Sequence, residues 1–182
     1  KQKNIYVIES YLLIGKARFF KYDFFPALET FNYIIKQFSK DKKAINLVAE
    51  AQLWAGRCQI MIGNQSSAEA YFEELLNNKK INKKLKADIS ASMAQSQINS
   101  KQYEAALLSL TEAIENGPNR QQRIRWTFIQ AQLHEKLGNN HEASQAYKDV
   151  VRMKPSNYDM LFTAQLSRAK NFDVYMESSN IV

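Results

Sequence analysis

Small, apolar and polar positions recur in the same order in four segments of the chain. Residues 15–31, 56–72, 94–110 and 131–147 align without gaps. The segments open with Gly15, Gly56, Ala94 and Ala131, and twelve positions later each has an alanine: Ala27, Ala68, Ala106 and Ala143. A large apolar residue follows four positions later, and an aliphatic residue or alanine three positions after that. Spacings of three and four are typical of amphipathic helices.

The alternation of small and large residues predicts pairs of antiparallel helices, A and B. Two helices cross closely only where small side chains meet, and large residues one turn further on fill the space beside the crossing. Each hairpin then has apolar surface on both sides, so neighbouring hairpins must stack to bury it. The predicted helices cover residues 5–21, 24–38, 44–62, 66–77, 81–99, 102–116, 120–137, 140–153 and 157–170.

This register, with Pro118 and Pro155 closing the last two copies, resembles the tetratricopeptide repeat family over residues 5–170. The resemblance implies an all-α fold: a right-handed α-solenoid with a concave groove lined by A helices. We expect a single array over residues 1–182, with repeats near 8–41, 49–82, 87–120 and 124–157 and a fifth A helix near 157–170. Because the chain begins with Lys1 rather than methionine, we expect it to be part of a longer protein.

Two segments are also similar to a narrower family. Residues 11–38 resemble the opening repeats of a large lipoprotein family of the Bacteroidetes that serves type IX secretion and gliding motility, and residues 155–169 resemble a later segment of it. This resemblance implies a periplasmic or membrane-anchored protein of a Gram-negative bacterium that contacts other secretion components. A membrane would then be reached only through an anchor outside this sequence.

The family groove maps onto positions counted from the small crossing residue. The positions three before, one after and four after it predict a partner-binding groove formed by Leu12, Lys16, Phe19, Leu53, Arg57, Ile60, Gln95, Phe128, Gln132 and Glu135. The fifth A helix would add Phe162, Gln165 and Arg168. We expect Lys16 and Arg57 to receive carboxylates of a partner, and the apolar members to hold apolar anchors.

Charge adds one further candidate surface. The net charge is +7, and the sharpest basic run contains Lys79, Lys80, Lys83, Lys84 and Lys86. Lysines in such a run are expected to face solvent at the start of a helix, and an acidic protein or an anionic surface is the alternative. Nucleic acid is not expected, because the aromatic residues fall at packing positions instead of alternating with the basic ones.

Catalytic chemistry has little support in the sequence. The two histidines, His134 and His141, fall on different predicted helices, and spacing indicates no third metal ligand. Cys58 lies two residues after Gly56 in an A helix, where a small buried side chain is expected. The glycines fall at crossings and turns rather than in a phosphate-binding loop. We therefore predict a non-enzyme without cofactor, metal or small-molecule substrate.

The function predicted from the sequence is a protein–protein interaction scaffold that binds a partner protein or an extended peptide along the groove. A glycan or cell-wall binding module of a surface uptake system is the alternative, and it would need exposed aromatic rings as sugar platforms. Nucleic-acid binding is the weaker third option, and it would show steep salt dependence.

Overall fold

The structure, a computed structural model, describes residues 2–172, with side chains from Ile5 onward. Within this range the chain forms nine α-helices and no strand. They are α1 (Gln2–Phe20), α2 (Phe24–Phe38), α3 (Ile45–Ile62), α4 (Gln65–Asn77), α5 (Lys83–Asn99), α6 (Tyr103–Asn116), α7 (Arg120–Lys136), α8 (Asn140–Arg152) and α9 (Tyr158–Lys170). The predicted helices are confirmed, and their ends differ from the prediction by at most three residues.

The helices fall into two compact units, Lys1–Gln102 and Tyr103–Val182. In the first unit, α1 packs on α2, α2 on α3, α3 on α4 and α4 on α5, and α3 also contacts both α1 and α5. In the second unit, α6 packs on α7, α7 on α8 and α8 on α9. Within each unit the main contacts therefore join helices that are neighbours, or next neighbours, along the chain.

The predicted close crossings are confirmed at both crossing glycines. A methyl group placed on Gly15 would lie 2.5 Å from Cε1 of Phe31, and one placed on Gly56 would meet the ring of Phe72 in the same way. Both rings are fully buried. Because Gly15 of α1 and Gly56 of α3 have no side chain, Phe31 of α2 and Phe72 of α4 can fill the space at each crossing.

One core cluster shows how a hairpin stacks on the next helix. It joins Ile8 and Leu12 of α1 and Phe31 of α2 to one row of α3, formed by Val48, Ala51, Ala55 and Cys58. Cys58 is fully buried, as predicted, and burial raises the pKa of its thiol to about 12. A thiol held protonated in this way is not a nucleophile.

Asparagine side chains begin three of the A helices. Asn82 Oδ1 accepts a hydrogen bond from the Leu85 amide at 2.8 Å, and Asn157 Oδ1 accepts one from the Met160 amide at 2.9 Å. Asn119 Oδ1 accepts a hydrogen bond from the Gln121 amide and caps α7 in the same way. Such a cap satisfies an amide that has no partner within the helix, and it fixes where each A helix starts after the preceding B helix.

Candidate functional site

The α1, α3 and α5 helices of the first unit present a row of aromatic and charged residues around Trp54. We refer to Leu13, Lys16, Phe20, Glu50, Trp54, Arg57, Met61 and Asp88 as the A-helix face. Trp54 is half-buried, and its ring stacks on Phe31 with centroids 6.2 Å apart and planes at 22°. Phe19 and Phe20 meet it edge-on, at 5.2 and 5.8 Å. The ring is therefore held rigidly by the core beneath it.

Two cations flank the Trp54 ring. Lys16 Nζ lies 5.5 Å from the ring centroid, and the Arg57 guanidinium carbon lies 4.6 Å from it. Both distances are within the range of cation–π attraction. The indole thus contacts two cations and the buried Phe31 ring.

Carboxylates of the same chain lie beside these cations. Lys16 Nζ lies 2.5 Å from Glu50 Oε1, and Arg57 Nε donates a hydrogen bond to Ser92 Oγ at 2.9 Å. Burial lowers the pKa of Arg57, and the negative charges of Asp88 and Glu50 oppose that shift. The charges of the A-helix face are largely balanced within the chain, which the sequence pattern did not indicate.

Three residues predicted to line the groove lie in the core instead. Leu12, Leu53 and Ile60 are only 3%, 2% and 7% exposed. Positions three before and four after the crossing residue share the side of the A helix that faces its neighbours. The solvent-facing row lies one residue further along the helix, where Leu13 and Met61 are 67% and 49% exposed. One residue corresponds to about 100° of rotation around an α-helix. The prediction was therefore wrong by one position, and it named core residues in place of the surface residues that follow them.

The remaining predicted positions have mixed environments. In the first unit, Phe19 is half-buried against Trp54 and Phe24, and Gln95 is exposed, with its Nε2 donating to Asn99 Oδ1 at 2.9 Å. Lys16 and Arg57 do lie on the A-helix face, whereas Phe19 supports it from beneath.

In the second unit, Gln132 is exposed, but two other predicted positions make internal contacts. Phe128 is half-buried against Tyr147, with ring centroids 5.9 Å apart. Glu135 accepts hydrogen bonds from Lys170 Nζ at 3.0 Å and from the Tyr147 hydroxyl at 2.9 Å. The hydrogen bond from Lys170 is the main cause of the lowered pKa of Glu135. Phe128 and Glu135 therefore brace α7 against α8 and α9.

The lysine run surrounds the start of α5. Lys79, Lys80, Lys83 and Lys84 are exposed, whereas Lys86 is half-buried and its Nζ donates to the Leu76 carbonyl at 3.3 Å. A cavity of about 220 Å³ opens between α3 and α5, lined by Asn46, Leu47, Glu50, Asn82, Lys84, Leu85 and Asp88. The exposed lysines are as expected for a solvated helix start, and Lys84 is the member of the run that reaches the cavity.

Metal-binding side chains are not gathered into a site in the described part of the chain. Among residues 2–172, no cluster of three or more His, Cys, Asp or Glu side chains is arranged to hold a metal ion. His134 is half-buried, and burial lowers its pKa. No helix within the same range is both long enough and apolar enough to cross a bilayer.

Stacked helical hairpins with glycine crossings define an all-α repeat solenoid, and comparisons with known proteins agree. Among solved structures, the putative kinesin light chain of Podosopora anserina, described by its nearly identical TPR-like repeats, superposes with a TM-score of 0.73 at 14% identity, covering 96% of this chain and 88% of that one. MamA from Desulfovibrio magneticus RS-1 gives a TM-score of 0.61 at 16% identity, covering 96% of this chain and 97% of that one. Another MamA structure gives a TM-score of 0.63 at 17% identity, covering 92% of this chain and 95% of that one. At such identities these likenesses establish the fold.

Two of the hairpins are also similar in sequence to the tetratricopeptide repeat. Two family models described as tetratricopeptide repeat match residues 50–78 and 128–157. These segments cover α4 and α8 together with the C-terminal parts of α3 and α7, and with the nine helices and the TPR-like fold they confirm the predicted all-α tetratricopeptide solenoid. No protein in the curated set matches the sequence. Neither matched family model describes an enzyme.

Proposed function

We propose that this chain is a non-enzymatic protein–protein interaction scaffold, and that the A-helix face of the first unit holds a segment of the partner. Tetratricopeptide repeats and the MamA-like fold support the scaffold role in general terms. The observation that carries the finer proposal is the Trp54 ring, which contacts Lys16, Arg57 and Phe31 and is still partly open to solvent. A rigid aromatic ring that needs no reordering is a favourable anchor for a partner.

Phe20 meets this ring edge-on, and Leu13 and Met61 lie seven residues from Phe20 and Trp54, on the same side of α1 and α3. Leu13 and Phe20 are 67% and 69% exposed, and Met61 is 49% exposed. Because Glu50 and Asp88 lie beside Lys16 and Arg57, a partner does not have to supply carboxylates to neutralise them. The arrangement therefore favours a segment that brings apolar or aromatic side chains to the face, with polar contacts at its edge.

Phe20→Ala is expected to weaken partner binding by tenfold or more while leaving the helical content unchanged. The side chain is largely exposed, so its removal costs the fold little, whereas truncation of an aromatic anchor costs about 2 kcal/mol or more of binding free energy. The partner would be isolated from the native host by cross-linking, and its affinity for purified variants would be measured by calorimetry.

Phe25→Ala provides the matched control, because Phe25 on α2 is 68% exposed and the substitution removes the same side chain. It should bind the partner as the wild type does. If the Phe25 variant loses binding and the Phe20 variant retains it, the partner uses another surface and the A-helix face is not the site.

A role in type IX secretion or gliding motility, with a periplasmic location, is a finer proposal. It is supported by the resemblance of residues 11–38 and 155–169 alone. In the native host, the protein should fractionate with the periplasm or with membranes, and cross-linking should capture secretion components. A cytoplasmic fraction, or partners unrelated to secretion, would contradict this role without affecting the scaffold proposal.

A further inference from the structure

Helix α1 has a second row of residues, turned away from the A-helix face, that lacks a packing partner in the described chain. We refer to Val7, Ser10, Ile14 and Ala17 as the α1 outer row. Val7 and Ile14 are 41% and 46% exposed, and Ser10 and Ala17 are also exposed. Over about three turns, one side of α1 thus presents small and aliphatic side chains to solvent.

The repeat register shows what such a row does elsewhere in the fold. Counted from the crossing glycine, the same positions on α3 are Val48, Ala51, Ala55 and Cys58, which are between 0% and 8% exposed and pack in the cluster that includes α2. On α5 the last three of these positions are Ile89, Met93 and Ser96, and all of them are buried. The α1 outer row therefore has the residue types and spacing of a stacking face.

Burying this row would leave no polar group without a partner. The Ser10 hydroxyl already donates to the Tyr6 carbonyl at 2.8 Å. A hydroxyl satisfied within its own helix can be covered without the cost of an unpaired donor. On the same helix, Tyr11 contacts Tyr33 of α2, with ring centroids 4.8 Å apart and planes at 46°.

Helix α9 presents a protruding row of large apolar side chains. Tyr158, Phe162 and Leu166 follow one another at intervals of four residues and are 75%, 54% and 61% exposed. The rings of Tyr158 and Phe162 stack, with centroids 6.4 Å apart and planes at 15°. We refer to these three residues as the α9 ridge.

We propose that the α9 ridge of one copy of this chain packs onto the α1 outer row of a second copy. The two surfaces match in length, because the α9 ridge extends about 12 Å along its helix and the α1 outer row about 15 Å. They also match in shape, since large side chains on α9 would meet a row in which Ser10 leaves room between Val7 and Ile14 and Ala17 leaves room beyond Ile14. The contact would continue the stacking that α2 makes on the corresponding row of α3.

This interface is heterologous: each copy contributes a different surface, so one copy can pair through either of them. It uses none of the residues of the A-helix face, and it does not depend on the proposed partner binding.

Two charge substitutions test the pairing. Ile14→Glu blocks the α1 outer row, and Phe162→Glu blocks the α9 ridge, and both side chains are exposed enough for the fold to tolerate the change. In sedimentation velocity, the average mass of the wild type should rise above the 21.0 kDa of one chain as the concentration increases. Each variant alone should stay monomeric. An equimolar mixture of the two should form a one-to-one pair, because one variant retains its α9 ridge and the other its α1 outer row.

Leu108→Glu is the control, since Leu108 on α6 is 76% exposed and belongs to neither surface. It should associate as the wild type does, and so should Phe20→Ala, so a failure of the partner-binding proposal would leave this result unchanged. A wild type that stays monomeric up to its solubility limit would overturn the inference. Association that persists in the Phe162→Glu variant would also overturn it, because it would indicate pairing of α1 with α1. A mixture of the two variants that does not pair would overturn it as well.

Discussion

Phe72→Ala is expected to lower the free energy of unfolding of the first unit by about 3–5 kcal/mol, the range for deleting a fully buried phenylalanine. Phe72 is fully buried and occupies the space that Gly56 leaves open at the crossing of α3 and α4. Its loss would create a cavity between two helix backbones that cannot easily approach further. Denaturant unfolding followed by Trp54 fluorescence would measure the effect, with Trp126 replaced by phenylalanine so that only the first unit reports.

The crossing can be tested further by a double-mutant cycle. Gly56→Ala alone should cost about 1–3 kcal/mol, because the added methyl group would overlap the Phe72 ring and force it to move. In a Phe72→Leu background the same change should cost less, since a smaller side chain leaves room. Phe25→Ala, at an exposed position, should change stability little. Additive effects of the two substitutions would show that the Gly56–Phe72 contact does not set the packing.

Arg57→Glu is the second substitution with a large expected effect, and it should lower the free energy of unfolding by about 3 kcal/mol or more at neutral pH. The change removes the cation that stacks on Trp54 and bonds to Ser92. It also places a third carboxylate beside Asp88 and Glu50, whose charges now act on Arg57. Arg57→Met is the matched variant, because it keeps an apolar stem against the ring and adds no negative charge, so it should cost less.

The pH dependence separates this charge effect from lost packing. In the Arg57→Glu variant, repulsion by the neighbouring negative charges raises the folded-state pKa of the carboxyl introduced at position 57 above its unfolded value, about 4. The variant is destabilised by the full amount at pH values above the raised folded-state pKa. This destabilisation disappears as pH falls below the pKa of the unfolded state. The stability gap between the Arg57→Glu and Arg57→Met variants should therefore narrow from about pH 7 to about pH 4. A gap that is constant with pH would mean that packing alone explains the loss.

The local features of the fold were predictable from sequence, because they depend on residues close together in the chain. The interval from Gly15 to Phe31 and from Gly56 to Phe72 is a property of one hairpin, and it was enough to place both crossings and the helices around them. Cys58 was placed correctly for the same reason, since its distance from Gly56 fixes which way it points.

The surface of the A helices was harder to predict. Leu12 and Leu13 are both large and apolar, so hydrophobicity cannot say which is buried; only the position of neighbouring helices decides. The partners of the two cations were also hidden, since Glu50 is 34 residues from Lys16 and Ser92 is 35 residues from Arg57. Such pairs link successive hairpins and follow from the stacking, which a pattern read within one hairpin does not contain.

The main helix contacts in each unit also have a kinetic consequence. Since they join helices one or two steps apart along the chain, native pairing closes only short loops. Loop closure of this kind costs little entropy, and folds dominated by local contacts cross their folding barrier quickly. One hairpin can act as a nucleus on which the next helix settles, so each unit has several possible starting points for folding.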